Sequence, residues 1–273
     1  MKKLLVPTDF SEQAENALKV AAQLARKNKS ELYILHTLEL PLHLANSSDS
    51  NSLPEPIYFI KLAEKNFKEL LAKPFMEGID IQEAYGHNEI FEDIREAVES
   101  NDIDLVVMGS HGVSGFKEMF IGSNTEKVVR TSNKPVLVIK NEHDEFNIKD
   151  FVFASDFSEE SRGPILEAVN FAKGVDARLH LLYVNTPSGF STTSEVTTKM
   201  DAILDEIEDD SYTLNIYNDN SVEKGILNFA KDTNATLIGM STHGRKGLSH
   251  FFNGSISEDL VNHANMPVVT FKI

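Results

Sequence analysis

No cysteine occurs anywhere in the 273 residues, which excludes disulfides, thiol catalysis and cysteine-ligated zinc. Positive charge is scarce as well: 26 lysines and arginines face 42 aspartates and glutamates, a formal net charge of −16. Affinity for a nucleic-acid backbone comes mostly from Lys and Arg displacing counterions, so neither nucleic acid nor an anionic membrane is an expected partner. No run approaches the ~18 apolar residues that a membrane-spanning helix needs. The opening MKKLLVPTDF has an apolar stretch that Pro7 and Asp9 cut off, too short for a signal-peptide core, and a cytoplasmic location is the default expectation. Three chemical signatures are missing too. There is no Gly-x4-Gly-Lys-Ser/Thr loop, no Gly-x-Gly-x-x-Gly after a strand and no Gly-x-Ser-x-Gly nucleophile elbow.

What is present is an internal repeat. VPTDFSEQAENAL, from Val6 to Leu18, returns as FASDFSEESRGPIL, from Phe153 to Leu166. MGSHGVSGFKEMFIGSNTEKVV, from Met108 to Val129, returns as MSTHGRKGLSHFFNGSISEDLV, from Met240 to Val261. Asp9 and Asp156 lie 147 positions apart, whereas Gly112 and Gly244 lie 132 apart, so the first copy carries an insertion. Leu40 to Pro56, rich in Ser, Asn and Pro, reads as that insertion and as a loop.

Each copy alternates short β-branched or leucine-rich runs with longer amphipathic ones, the pattern of a parallel sheet wrapped by crossover helices. The expected strands in the first copy are Lys3–Pro7, Leu32–Thr37, Ile79–Ala84, Ile103–Met108 and Val136–Lys140. In the second they are Phe151–Ser155, Arg178–Val184, Thr213–Tyr217, Thr236–Met240 and Val268–Lys272. Helices are expected over Asn16–Lys27 and Glu89–Ser100, where apolar residues recur three and four apart. The expected fold is α/β, with two tandem doubly wound domains, each a five-stranded parallel sheet flanked by helices. Residues 1–142 and 150–273 form the domains, and 143–149 the linker. Pro135 and Pro267 read as openings of edge strands, where a missing N–H is tolerated.

In an open parallel sheet, ligands bind outside the carboxyl ends of the strands. After the fourth strand of the first copy come Gly109-Ser-His-Gly112, then nine residues, then Gly122-Ser123 and a helix. Glycines let backbone N–H groups turn toward an anion, and a helix N-terminus receives a phosphate without any lysine. Ser123 stands where an N-cap belongs, with Glu126 completing a capping box, and Ser255 and Glu258 repeat the pair. Capping alone would explain one such loop. Two at matching places favour a retained phosphate site, although Ser241 replaces Gly109 in the second copy. The histidines, among them His36, His87, His250 and His263, show no repeated zinc-ligand spacing.

The spacing Gly-x2-Gly-x9-Gly-Ser, the strand ending in Met before it and the early Pro-Thr-Asp-Phe-Ser segment resemble the universal stress protein family, once per half. That resemblance implies a site for ATP, or for ADP or AMP, with Mg²⁺ accompanying the phosphates. It implies that Pro7, Thr8 and Asp9 line the adenosine end, with Leu38 or a neighbour against the adenine. Met108, Gly109, His111 and Gly112 would approach the ribose and phosphates, and Gly122, Ser123 and Asn124 would donate to the phosphate chain. Asp156, Gly244, Gly254 and Ser255 are the second copy's counterparts. It also implies pairing through last strands, here within one chain, with a homodimer of chains as a further option. The expected role is regulatory, with nucleotide occupancy ordering the insertion and changing a surface read by another protein. Two other classes stay open: a slow ATPase, which lacks an evident base, and a receiver-like phosphoacceptor, to which Lys134-Pro135 bears a superficial likeness.

Overall fold

A computed structural model of the chain describes residues 1–38, 54–87, 89–110, 122–205, 207, 211–242 and 260–273. The first half runs β1 (Lys3–Pro7), α1 (Glu12–Asn28), β2 (Glu31–Thr37), α2 (Pro54–Leu71), β3 (Asp80–Gly86), α3 (Ile90–Asn101), β4 (Leu105–Gly109), α4 (Ser123–Thr131) and β5 (Val136–Ile139). The second runs β6 (Asp150–Ala154), α5 (Arg162–Val175), β7 (Arg178–Asn185), α6 (Thr193–Leu204), β8 (Tyr212–Asn218), α7 (Val222–Asp232), β9 (Leu237–Thr242) and β10 (Val268–Lys272), with residues 260–263 helical before β10.

Local sequence accounts for these elements. Helix α1 opens with the Ser11 side chain accepting the Ala14 N–H, carries Glu12 and Glu15 in its first turn and Arg26 and Lys27 in its last, and stops at Lys29 in a left-handed conformation. Those charges complement the helix dipole at both ends. Strands such as β4, Leu-Val-Val-Met-Gly, are buried at every residue because helices cover both faces of the sheet.

The ten strands form one sheet in the order β3-β2-β1-β4-β5-β10-β9-β6-β7-β8. Pairing within each half is parallel, and β5 meets β10 antiparallel, with Leu137 opposite Val269. Each face carries an apolar core that runs through both halves. One holds Leu18 of α1, Phe67 of α2, Ile165 of α5 and Val196 of α6; the other holds Ile94 of α3, Val128 of α4 and Ile226 of α7. Two lysines cross the junction. Lys140 Nζ donates to the Asn262 and Ala264 carbonyls, and Lys272 Nζ donates to Arg130 O at 3.1 Å, each reaching the end of the helix that precedes the other half's last strand.

Several expectations are corrected. Strands β5 and β10 are interior, flanked on both sides, and the edges are β3 and β8; Pro135 and Pro267 still serve the ladder, their carbonyls accepting the N–H groups of Val106 and Ile238. Helix α2 begins at Pro54, inside the stretch read as a loop, since a proline lacks only an N–H that the first turn leaves unbonded anyway. The rest of that insertion lies outside the described residues. Without overturning its reading as a linker, the segment 143–149 is tied down: Gln23 Nε2 donates to His143 O, Gln23 Oε1 accepts the Phe146 N–H, and Ile148 is buried.

Candidate functional site

The same turn opens both halves after the first strand. In the first, the Thr8 hydroxyl oxygen accepts the Phe10 N–H at 3.0 Å and Asp9 Oδ1 accepts the Ser11 N–H at 3.0 Å. In the second, Ser155 Oγ and Asp156 Oδ1 accept from Phe157 and Ser158. Phe10 and Phe157 adopt φ of 60° and 54°, a left-handed conformation that costs a bulky residue on the order of 1–3 kcal/mol. The side-chain bonds hold it at the carboxyl end of the first strand of each half.

In the first half this turn forms one wall of a cavity of about 580 Å³, within the range of small-molecule sites. Pro7 at the end of β1 with Thr8 and Asp9 after it, Leu38 after β2, Met108 and Gly109 at the end of β4, and the N-cap Gly122 with Ser123 and Asn124 at the start of α4 all line it. The structure therefore brings together nine of the residues named from sequence. His111, Gly112, Gly244, Gly254 and Ser255 lie outside the described residues. Sequence reasoning missed Phe10, His36, Thr37, Ile90 and Thr125, and a wall of α2 residues, Phe59, Leu62, Ala63 and Asn66. Thr37 and Ile90 had a signal, since each sits at the carboxyl end of a strand or the start of the following helix. The α2 residues had none, because nothing local says that this helix leans over the site.

The start of α4 is pinned to β4. Gly122 N–H donates to Ser110 O at 2.7 Å, and the Thr125 hydroxyl donates to Gly109 O at 2.9 Å. The N-cap is Gly122, not Ser123, and no side chain caps the helix. With Ser123 already inside the helix, its hydroxyl is one residue too late to form the expected capping box with Glu126. The first-turn N–H groups of Ser123, Asn124 and Thr125 consequently have no hydrogen-bond acceptor among the described residues, and these three residues face the cavity. No lysine or arginine is among the described lining residues, and Asp9 is their one carboxylate.

Gly109 needs its missing Cβ for another reason than the one read from sequence. A Cβ there would lie 2.6 Å from the backbone oxygen of Gln13, so the glycine lets the first turn of α1 approach β4. In the second half Ser241 occupies this place, and the equivalent of the first turn of α1 is a short 3₁₀ turn at Glu159–Ser161, with α5 starting only after it. Ser241 is fully buried and its hydroxyl has no hydrogen-bond partner among the described residues.

His36 Nδ1 lies 2.8 Å from Thr8 O. A carbonyl only accepts, so Nδ1 carries the proton. Phe10 packs on the His36 ring at 4.6 Å and edge-on to Phe67 at 5.3 Å. Tyr85 meets Phe67 at 5.1 Å, its phenol pushed up to about 12, first by burial and then by its bond to Glu83, so it stays neutral. In the second half Asp156 is consumed internally, Oδ1 accepting from the hydroxyls of Ser158 and Ser161 at 2.9 and 2.7 Å as well as from the Ser158 N–H.

The sequence profile of the universal stress protein family matches residues 1–140 and, a second time, 147–272. A universal stress protein of Methanocaldococcus jannaschii, MJ0577, is 35% identical over 153 residues, covering 51% of this chain and 94% of the relative. YxiE, a universal stress protein of Bacillus subtilis, is 31% identical over 146 residues, covering 50% of this chain and 98% of the relative. Among solved structures, a universal stress protein from Archaeoglobus fulgidus superposes with a TM-score of 0.73 at 24% identity, covering 99% of this chain and 98% of that one. At that identity the likeness concerns the fold alone.

Proposed function

The chain belongs to the universal stress protein family, and from that premise we propose that its first half binds an adenine nucleotide, ATP foremost, and that the protein acts as a nucleotide-responsive regulator of the stress response. The observation that carries this reading is the cavity beside α4, where three first-turn N–H groups lack acceptors among the described residues and no cationic side chain is seen. A helix N-terminus of this kind suits a phosphate chain. Leu38, Ile90 and Met108 supply apolar wall for a planar base, and Pro7 to Asp9 offer polar backbone and a carboxylate for a ribose. The family resemblance of the glycine-serine motif points to ATP as the ligand. A divalent ion, Mg²⁺, would ride on the phosphate oxygens, since the described residues hold no group of three or more His, Asp or Glu suited to a metal.

The proposal assigns the ligand to one half. Asp156 is engaged by Ser158 and Ser161, and Ser241 puts a side chain where the first half has none, so the second half serves as a structural partner across β5 and β10. Pairing of the halves would take the place of pairing between chains. Hydrolysis, if it occurs, is slow: Asp9 is the one described carboxylate on the wall, and its Oδ1 already accepts the Ser11 N–H.

The experiment is denaturation of protein purified without added nucleotide, with mass spectrometry of what is released, together with thermal shift in added ATP. Ligand at a hundredfold excess over its Kd stabilises by about 2.7 kcal/mol. Ser123→Pro deletes one N–H at a helical position that tolerates proline, and Gly122, at φ −61° and ψ 144°, already has the conformation a following proline requires. It is expected to weaken ATP binding roughly tenfold, the worth of one charge-assisted hydrogen bond, while Ser123→Ala retains it. No released nucleotide and no shift with ATP would defeat the reading.

A further inference from the structure

Thr37, the last residue of β2, lines the first-half cavity and is 9% exposed. Its hydroxyl donates to Asp93 Oδ2 at 2.7 Å. Asp93, in the first half of α3, is 5% exposed, and its other oxygen accepts the His87 N–H at 3.3 Å. A carboxylate accepts and does not donate. The Thr37 proton is therefore committed to Asp93, and the hydroxyl can offer a ligand only its lone pairs. Ile90 and Met108 line the same cavity and add apolar surface to it.

The second half shows that the fold does not require this pair. The Thr8 N–H bonds Leu35 O and the Ser155 N–H bonds Leu182 O, so Thr37 and Val184 hold the same register, two residues on. Asp93 and Gly225 hold the same helical position, each sending its N–H to the N-cap carbonyl, of Glu89 and of Ser221. Thr37 pairs with Gly86 on the edge strand, and Val184 with Tyr217. Three positions thus differ together. A Cβ on Gly86 would overlap the Asp93 carboxyl, and a Cβ on Gly225 would overlap a methyl of Val184. One half closes this corner with a hydroxyl and a buried carboxylate, the other with valine and glycine. Removing a carboxylate from water is costly unless partners compensate, and an apolar alternative is built into the same chain.

We propose that Thr37 reads the nucleobase in the first half, with Asp93 as the positioning residue that fixes its hydroxyl as an acceptor, and that the pair selects a base presenting an amino hydrogen, adenine over its 6-oxo analogues. The inference rests on the reading of this cavity as a nucleotide site. A 6-oxo base turns an oxygen toward the Thr37 oxygen, leaving two acceptors facing each other with no proton between them. Such a mismatch is what makes a polar site reject an analogue.

The test compares ATP with inosine triphosphate, which differs in carrying a 6-oxo group, by calorimetry on the intact chain. The wild type is expected to prefer ATP roughly ten- to a hundredfold. Thr37→Val, the residue the second half already uses, is expected to weaken ATP and relieve the mismatch with the inosine nucleotide, so that the two affinities converge. In Asp93→Asn the amide donates to the Thr37 oxygen and frees its proton for a 6-oxo group, so the preference is expected to vanish or invert. Equal affinities in the wild type, or variants that weaken both nucleotides in the same proportion, would overturn the inference while leaving the nucleotide site standing. A wild type that binds neither overturns both. Should Thr37→Val not fold, the wild-type ratio and the Asp93→Asn ratio decide the matter.

Discussion

Gly109 and Ser241 are the same position in the two halves, yet they answer to different constraints. Gly109 has the Gln13 carbonyl where its Cβ would stand, so Gly109→Ala is expected to cost about 1–3 kcal/mol through forced displacement of α1. Ser241 is buried and its hydroxyl has no partner among the described residues, so Ser241→Ala is expected to stabilise by about 1 kcal/mol, relieving a desolvated polar group. Urea denaturation of the two variants beside the wild type checks both signs. The pair also marks what a sequence can carry at this scale. That Gly109 lies beside the site was legible from its motif, because spacing along the chain fixes where a loop stands relative to its strand. That its Cβ is excluded by Gln13 was not, since that contact joins residues far apart in sequence. Asp93 was missed for the same reason: a single acidic residue in an amphipathic helix looks solvated until Thr37 and Gly86 are seen beside it.

At the scale of elements, the strands and the helices between them were readable because both faces of the sheet are covered, which gives short continuous apolar runs separated by amphipathic ones. Ends were less readable. Helix α4 starts one residue before the expected register, so the serine expected to cap it stands inside it and its first-turn N–H groups have no acceptor among the described residues. Its other end receives Lys272 from the second half, and the matching lysine, Lys140, carries a prediction. Burial pulls the Lys140 ammonium down to about 8 from its ordinary 10.5. Between those values the unfolded chain keeps the proton and the folded chain does not, so this group makes stability rise with pH across the window. Below about pH 8 both states are charged and the folded state bears the full desolvation penalty. Unfolding free energies of wild type and Lys140→Met, compared from pH 7.5 to 10.5, should show the wild type gaining on the variant as pH rises. A flat or falling difference would mean that the carbonyls of Asn262 and Ala264 compensate the charge completely.

Over the whole molecule, duplication supplies a frame and divergence supplies the asymmetry. The repeat was plain in the sequence, and the last strands Val136–Ile139 and Val268–Lys272 pair antiparallel, so the two halves share one sheet and a continuous core on each face. Ser241 in place of Gly109 already marked the second copy as different in sequence, but the other contacts in which the two openings differ were not legible there. The first has a cavity lined by helix N–H groups without acceptors among the described residues, and a Thr37–Asp93 pair; the second has Asp156 tied to two serines, Val184 against Gly225, and a buried Ser241. On this account the frame needs two halves and the ligand needs one. The most direct measurement is calorimetric titration of the intact, nucleotide-stripped chain with ATP in the presence of Mg²⁺. One ATP per chain, with affinity weakened by Ser123→Pro and unaffected by Ser241→Ala, is the predicted result; two equivalent sites, or no heat of binding at all, would contradict it.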